Sequence, residues 1–442
     1  MKFEVKDLPK PPKILAFIGP GFILAAFAQG SGELIWWPYL VAKYKDALLW
    51  LMPIAFTMQL WINLEVGRYT MLTGESIIKG FYRVSKYILI LIFLLNFISW
   101  IWIGGYLSAS ATAVAELGPF EEKSKSVIFW SYLLLLLSNF ALLSRRAYDC
   151  IEKLEKFVGV FCFISLLSVA VLCEDVRSVT FSFFKSFLSV HYPSIAKEDY
   201  KIFLTAVAFA GLGGTANLFY SYWLREKGIG MARKGGGIFR LNKRNEGKLR
   251  RWVKILWIDN GIGVYLNFIT TVLTALLAYA ILANKGLYPK GWDLASVQSE
   301  FLASTYGDVG RVVFLLIATF FLADTWIVLV YSLSKINAEV FSLLFKKDEE
   351  TLFRIWIYIY VLASILIIPL KKPPEFLITL CGVMSFLSMI IYIPILAYIT
   401  WIYLPRIFES KKVAPSLFSK ICLLVAFIFY LALFLLKVYF TI

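Results

Sequence analysis

The chain has 442 residues, of which 60% are hydrophobic and only 17% are charged, and its formal net charge is +16. A soluble protein of this length exposes far more charge, so the composition excludes a soluble domain and indicates a membrane protein. In so apolar a chain, the positive charge is typical of loops that face the cytoplasm and anionic lipid, rather than of a nucleic-acid-binding protein.

Apolar runs of about 20 residues recur along the chain, and each is long enough to cross a bilayer. They predict an all-α membrane protein with one transmembrane domain over residues 1–442 and eleven spans. The predicted spans are residues 14–40, 47–67, 87–115, 126–143, 157–173, 201–224, 255–283, 311–335, 353–370, 375–403 and 417–440.

The basic residues predict the orientation of these spans. Eleven of the 45 lysines and arginines lie from Arg225 to Lys254, in the loop after span 6. Loops rich in lysine and arginine stay in the cytoplasm. We therefore expect a multi-pass protein of the cell membrane, with a cytoplasmic N-terminus and an external C-terminus.

Span 1 contains polar residues and glycines where a membrane helix normally has leucines. Residues 26–38 read AFAQGSGELIWWP, and span 6 contains a similar stretch, AFAGLGGTANL, at residues 208–218. Both have AFA, then glycines, then a polar residue followed by leucine. Unwound backbone inside a bilayer is tolerated only where it lines a cavity or is buried in protein.

The two similar stretches lie five spans apart, so they cross the membrane in opposite directions. This spacing is typical of an inverted repeat whose discontinuous helices meet in mid-membrane. It predicts one repeat over about 14–173, a second over about 201–403, and an extra C-terminal helix over about 417–440.

Three polar side chains in the spans are candidates for substrate or metal binding: Glu33 and Asp324, which are acidic, and Asn217, which offers a neutral amide oxygen. An acid in mid-bilayer costs roughly 2.5–3.5 kcal/mol or more, so its presence favours a function. The alternatives are a solvated vestibule position for Glu33, a protonated, hydrogen-bonded acid at Asp324, and a helix cap at Asn217.

Glu65, Arg68 and Asp259 are candidates for gating or coupling. Glu65 and Arg68 are three residues apart on span 2, a spacing at which they can pair on one helix face. Asp259, at the start of span 7, is expected to pair with Arg251 or Lys254.

The run GPGFILAAFAQGSGELI, residues 19–35, resembles the start of the Nramp family of divalent-metal transporters. Arg68, Asn267 and Glu339 add to the resemblance, which covers most of the chain. It implies a LeuT-type fold of a 5+5 inverted repeat with discontinuous helices 1 and 6, and secondary transport by alternating access.

The sequence departs from the family at the residues that bind metal. In register with the family motif, the metal-binding aspartate falls on Gly30, the proline on Ser31 and the asparagine on Glu33. The Met-Pro-His motif of span 6 falls on Gly214, Thr215 and Ala216, and Asp324 replaces a glutamine. The resemblance therefore implies a substrate site at Gly30, Ser31, Glu33, Gly214, Asn217 and Asp324, with Glu33, Asn217 and Asp324 as metal ligands.

These groups are hard oxygen donors, which suit Mg²⁺, Mn²⁺ or Ca²⁺. The first alternative is a transporter of a small organic solute or amino acid, coupled to Na⁺ or H⁺, for which the small residues at the two breaks leave room. The second is a membrane sensor or scaffold that does not transport.

No nucleophile–base arrangement, Walker motif or zinc signature points to an enzyme, and we expect no resident cofactor. The expected partners are the lipid bilayer and a small inorganic ion or small-molecule substrate, bound by a monomer that does not bind nucleic acid. The coupling ion, H⁺ or Na⁺, stays open.

Overall fold

The computed structural model describes residues 3–441 apart from 18, 29, 31, 119–121, 143–146 and 191–193. Its first half contains α1 (Ile14–Phe17), α2 (Pro20–Ala28), α3 (Trp37–Tyr44), α4 (Leu51–Thr73), α5 (Ile77–Val84), α6 (Lys86–Trp100), α7 (Gly104–Ala115), α8 (Lys123–Leu142), α9 (Ala147–Leu172) and α10 (Glu174–Ser186).

The second half contains α11 (Tyr200–Ala208), α12 (Tyr220–Lys227), α13 (Lys243–Leu277), α14 (Ala283–Lys285), α15 (Leu294–Phe345), α16 (Glu349–Ile367), α17 (Pro374–Tyr398), α18 (Leu404–Ile407) and α19 (Leu417–Thr441). In the described residues, the β structure is a single bridge between Val5 and Ile238. The prediction of an all-α protein is confirmed.

Several helices are long and apolar enough to cross a membrane. Six such segments occur among the described residues, and a seventh is a pair bent by 95°. The six are Lys86–Ala115, Lys243–Lys285, Gly291–Phe345, Glu349–Leu370, Pro374–Ile407 and Leu417–Leu436, and the bent pair is Gly159–Leu172 with Glu174–Ser186. The predicted spans 1 and 6 do not meet this criterion because each is divided into helices of at most nine residues.

Span 6 is interrupted where the glycines predicted it. α11 ends at Ala208, and a 3₁₀ segment, Gly214–Phe219, leads into α12. Gly211, Gly213 and Gly214 have φ values of 115°, 71° and 55°. Glycine adopts such values without steric cost, which explains why the break contains three glycines.

Span 1 is interrupted at the corresponding place. α2 ends at Ala28, Gly30 lies in a turn, and a π-helical segment, Gly32–Trp36, leads into α3. A Cβ atom added at Gly32 would overlap the carbonyl oxygen of Phe209, at the end of α11. The two breaks therefore pack directly on each other.

Local sequence signals explain where several helices begin and end. Ser76 caps α5 by accepting a hydrogen bond from the amide of Lys79, and Asn242 caps α13 through the amide of Asn245. Gly74 ends α4 in a left-handed conformation with φ 73°. These are the ordinary capping residues of helices, so this part of the fold follows from local preference.

Long helices surround the two interrupted spans. α15 packs against α7 and α16, and α13 packs against α2 and α4. α17 contacts α11, the 3₁₀ segment Gly214–Phe219 and α19. The breaks therefore lie inside the bundle, where protein rather than lipid surrounds the unwound backbone.

Candidate functional site

A small cavity lies where the two breaks meet. The space that the centre of a water molecule can occupy in it is ≈ 10 Å³, which is about enough for one water molecule. The cavity is lined by Phe27, Ala28, Trp100, Tyr106, Phe209, Gly211, Leu212 and Thr325. The lining combines aromatic rings with backbone of both interrupted spans, so this is the central candidate for a substrate site.

Gly30 and α15 are in close contact beside this cavity. A Cβ atom added at Gly30 would lie 2.6 Å from Thr325 Oγ1. Asp324 precedes Thr325 and is only 4% exposed. The break of span 1 thus packs on the segment of α15 that carries the predicted acid.

Two of the predicted site residues, Ser31 and Glu33, lie wholly or partly outside the described part of the chain. Ser31 lies outside the described residues. The backbone of Glu33 belongs to the π-helical segment that begins at Gly32, but its side chain lies outside the described part of the chain. The structure therefore places Glu33 by its backbone, at the start of the second half of span 1.

Asn217 and Gly214 contact α17. The Tyr392 hydroxyl donates to the Gly214 carbonyl oxygen at 2.8 Å, and Asn217 Nδ2 donates to the Tyr392 hydroxyl oxygen at 3.0 Å. Asn217 Oδ1 is buried and has no hydrogen-bond partner among the described residues. Asn217 is also absent from the described cavity lining, so its amide group serves the contact with α17 in this conformation.

Trp100 is a site residue that the sequence analysis missed. Its Nε1 donates to Thr215 Oγ1 at 2.8 Å, and its ring stacks on Phe209 with centroids 5.9 Å apart. It therefore joins α6 to the break of span 6. No sequence signal distinguishes it from the many other aromatic residues of the spans.

Asp259 does not pair with Arg251 or Lys254 as expected. It is fully buried and accepts hydrogen bonds from the Tyr220 hydroxyl at 2.8 Å and from the Gly19 amide at 3.3 Å. The expectation was wrong because it considered only nearby residues in the sequence. The carboxylate instead caps α2, whose N-terminal amides favour a negative charge.

Glu65 and Arg68 pair as predicted. Arg68 Nε lies 3.1 Å from Glu65 Oε2, and Ser419 Oγ donates to Glu65 Oε1 at 3.1 Å. The pair is buried and attaches α4 to the start of α19. Its neutral total charge reduces the cost of burying both groups.

Glu339 connects three segments at the end of the bundle where the N-terminal residues 3–13 lie, here called the N-terminal end. Arg225 Nη1 lies 3.2 Å from Glu339 Oε1, the Tyr222 hydroxyl donates to Glu339 Oε2 at 2.5 Å, and Ser76 also donates to it. The second half of span 6 is thereby attached to α15 and to the start of α5.

Asp199 forms the corresponding network at the opposite end. Lys43 Nζ lies 2.6 Å from Asp199 Oδ2, and the hydroxyls of Tyr39 and Tyr44 donate to the carboxylate at 3.0 and 2.7 Å. Burial alone raises the pKa of Asp199, but the hydrogen bonds from these three residues outweigh it and leave the pKa below its ordinary value. The network joins α3 to the start of α11.

A metal centre made of clustered ligands is not evident. Among the residues that the structure describes, no group of three or more His, Cys, Asp or Glu side chains could hold a metal ion. Any cation site here must therefore combine few acidic side chains with backbone carbonyl or hydroxyl oxygens, which are also ligands for hard cations.

The fold is similar to that of known membrane transporters. A mutant of the Eremococcus coleocola manganese transporter matches with a TM-score of 0.70 at 13% identity, over 98% of this chain and 88% of that chain. The same transporter bound to an aromatic bis-isothiourea substituted compound matches with a TM-score of 0.68 at 13% identity, over the same shares of the two chains.

MhsT in complex with L-phenylalanine matches with a TM-score of 0.55 at 15% identity, over 97% of this chain and 99% of that chain. No family model matches the chain, and no curated protein matches its sequence. The structural similarity shows a fold like that of LeuT-type transporters, as the sequence resemblance implied, while the division into two repeats of five spans stays a prediction.

Proposed function

We propose that this protein is a secondary transporter of a hard divalent cation, Mg²⁺ or Mn²⁺, and a divergent member of the Nramp family. The observation that carries the proposal is the position of Asp324. This buried acid precedes Thr325, which lines the cavity between the two helix breaks and contacts Gly30. A cavity that holds about one water-sized sphere has room for a single ion.

The proposed site combines few charges with several neutral oxygen atoms. In this proposal Glu33 and Asp324 supply the negative charge, and Ser31 supplies a neutral donor. Asn217 contacts α17 and does not line the cavity in this conformation, so it joins the site only if its side chain turns toward the cavity. Free carbonyl groups at the breaks near Gly30 and Gly214 complete the coordination, as unwound backbone does in other transporters. The set has no sulfur and no imidazole, so it favours Mg²⁺, Mn²⁺ or Ca²⁺ over softer metals.

In this proposal, alternating access depends on the two networks at the ends of the bundle. The Asp199 network closes the end where α3 meets α11, and the Glu339 network closes the N-terminal end. Each network consists of one ion pair with hydrogen bonds to the same carboxylate. Opening one at a time would expose the site to one side of the membrane.

The topology belongs to the same proposal. It has eleven spans, with two repeats over residues 14–173 and 201–403 that are inverted relative to each other. An odd number of spans puts the two termini on opposite sides of the membrane, and we assign the N-terminus to the cytoplasm and the C-terminus to the outside. The basic segment between Arg225 and Lys254 then faces the cytoplasm, as the positive-inside rule requires. Under this topology the Glu339 network is the cytoplasmic gate and the Asp199 network is the external gate.

Cation binding can be tested by calorimetric titration of Mn²⁺, Mg²⁺ and Ca²⁺ into the detergent-purified chain. We expect saturable binding that Asp324→Asn weakens at least tenfold. Asp308→Asn is the matched control, since Asp308 is exposed on the same helix. Equal cation affinities in the two variants would show that Asp324 is not part of the site. If the wild-type chain bound none of the three cations, the proposal would be contradicted.

A small organic solute is the second candidate, because four of the eight residues that line the cavity are aromatic. Such a solute requires a conformation in which the cavity is wider than the present ≈ 10 Å³. Trp100, Tyr106 and Phe209 are better suited to an apolar group than to an ion. The similarity in fold to MhsT, whose structure contains L-phenylalanine, supports the same alternative. Thermal stabilisation by amino acids in the presence of a chelator would favour this function over cation transport.

A further inference from the structure

The N-terminal arm, residues 3–13, is docked along the N-terminal end of the bundle. The Lys6 amide donates to the Ile238 carbonyl oxygen at 2.8 Å. Lys248 Nζ donates to the Leu8 carbonyl oxygen at 2.5 Å, and Trp252 Nε1 donates to that of Pro9 at 2.9 Å. The arm is therefore attached to the first turns of α13.

A groove of ≈ 530 Å³ opens between the arm and α13. Its volume falls in the range of small-molecule pockets. The groove is lined by five basic side chains and one acid, which are Lys10, Lys234, Arg244, Lys248, Arg251 and Asp7. The lining thus carries a net charge of +4, from five positive charges and one negative charge.

The basic residues come from three separate segments of the chain. Lys10 belongs to the arm, Lys234 to the 3₁₀ segment Gly230–Lys234, and the other three to α13. Among the described residues, none of the five forms an ion pair with a carboxylate, unlike Lys412, which pairs with Glu246 of α13 at 2.6 Å. Their mutual repulsion favours an anion in the groove.

The groove has open space at Gly247, an exposed residue of α13. Gly247 lines it, and a Cβ atom added at Gly247 would meet no heavy atom within 4 Å. Arginine and lysine side chains that come from separate segments can donate charge-assisted hydrogen bonds to different oxygen atoms of one phosphate group.

We propose that this groove binds a phosphate-bearing anion, which connects the arm to α13. The phosphate comes either from a soluble compound or from a phospholipid headgroup. The arm continues into α1 and α2, the first half of span 1, so the bound anion would restrain that half-helix. The site is separate from the central cavity and does not depend on the identity of the transported substrate.

The first test is calorimetric titration of inorganic pyrophosphate into the detergent-purified full-length protein at fixed ionic strength. We expect binding that Arg244→Gln with Arg251→Gln weakens at least tenfold. The matched control is Lys243→Gln with Lys254→Gln, which removes the same charge from exposed positions of α13 that do not line the groove. The control pair should change the affinity less than threefold.

A second variant leaves every basic residue in place. Gly247→Glu introduces a carboxylate among the residues that line the groove, and Gly247→Gln introduces a neutral side chain of the same size. Helical backbone at Gly247 accepts either residue. We expect Gly247→Glu to weaken pyrophosphate binding more than Gly247→Gln does, and unchanged binding in Gly247→Glu would overturn the proposal.

A lipid source is tested in nanodiscs of phosphatidylglycerol and of phosphatidylcholine. If the phosphate is a headgroup, pyrophosphate does not bind, and phosphatidylglycerol raises the unfolding temperature of the wild type but not of Arg244→Gln with Arg251→Gln. If neither probe acts, or if the control pair loses the effect equally, the groove is not a phosphate site and the proposal is wrong.

Discussion

The Tyr220 hydroxyl donates a 2.8 Å hydrogen bond to Asp259, and this carboxylate also accepts a hydrogen bond from the Gly19 amide. Tyr220 begins α12, and Gly19 precedes α2. One buried side chain of α13 therefore connects the halves of spans 1 and 6 that lie toward the N-terminal end.

Tyr220→Phe should lower the free energy of unfolding by about 1–3 kcal/mol, because it removes a hydrogen bond from a buried carboxylate. Thermal unfolding of the detergent-purified protein measures the change. Tyr265→Phe is the control, since Tyr265 lies on α13 but is 45% exposed. Equal unfolding temperatures for the two variants would show that the contact with Asp259 contributes nothing to stability.

Gly214→Ala should destabilise the break of span 6. Gly214 has a φ of 55°, where alanine costs roughly 1–2 kcal/mol, and an added Cβ would lie 2.6 Å from Ser385 Oγ. In Gly261→Ala, the control on α13, the added Cβ meets no atom within 4 Å. We expect a lower unfolding temperature for Gly214→Ala alone, and an unchanged one would mean that the break relaxes freely.

The breaks were predictable because their cause is local. Clustered glycines in an apolar run lower the helix propensity at that point. The structure has non-helical backbone there, at Gly211 and Gly213. The pairing of Glu65 with Arg68 was predictable for the same reason, since the two residues lie one helical turn apart.

Contacts between distant segments were not predictable. Asp259 meets Gly19 across 240 positions of the sequence, and Asn217 meets Tyr392 across 175. Nothing in one sequence specifies which helices become neighbours. For the same reason, Trp100 could not be distinguished from aromatic residues that only fill space between helices.

Under the proposed function, Asp324→Asn should weaken cation uptake at least tenfold at limiting cation concentration, since it removes a buried carboxyl group from the residue that precedes Thr325 of the cavity wall. Uptake into proteoliposomes over a range of pH measures the effect. If Asp324→Asn transports like the wild type at every pH, Asp324 has a structural role.

The Asp199 network should lose its stabilising effect in acid. The pKa of Asp199 is below the ordinary value of about 3.9, so the network stabilises the fold fully above that pH and loses this contribution as pH falls through the folded pKa. Asp199→Asn should therefore lower the unfolding temperature at pH 7, and the difference from wild type should shrink below about pH 4.

The control for this experiment is Glu198→Gln, at an exposed neighbouring position. Its unfolding temperature should follow that of the wild type at both pH values. A constant difference between Asp199→Asn and wild type down to acid pH would show that the charge of Asp199 is not what stabilises this end of the bundle.

Uptake of Mn²⁺, Mg²⁺ and Ca²⁺ into proteoliposomes, with Glu33→Ala compared with wild type, tests the central claim most directly. The exposed Glu174→Ala serves as the control for loss of a glutamate. We predict saturable uptake of at least one cation that Glu33→Ala abolishes and Glu174→Ala preserves. Wild-type protein that is folded and inserted but carries none of the three ions, or Glu33→Ala that transports as well as wild type, would contradict the account.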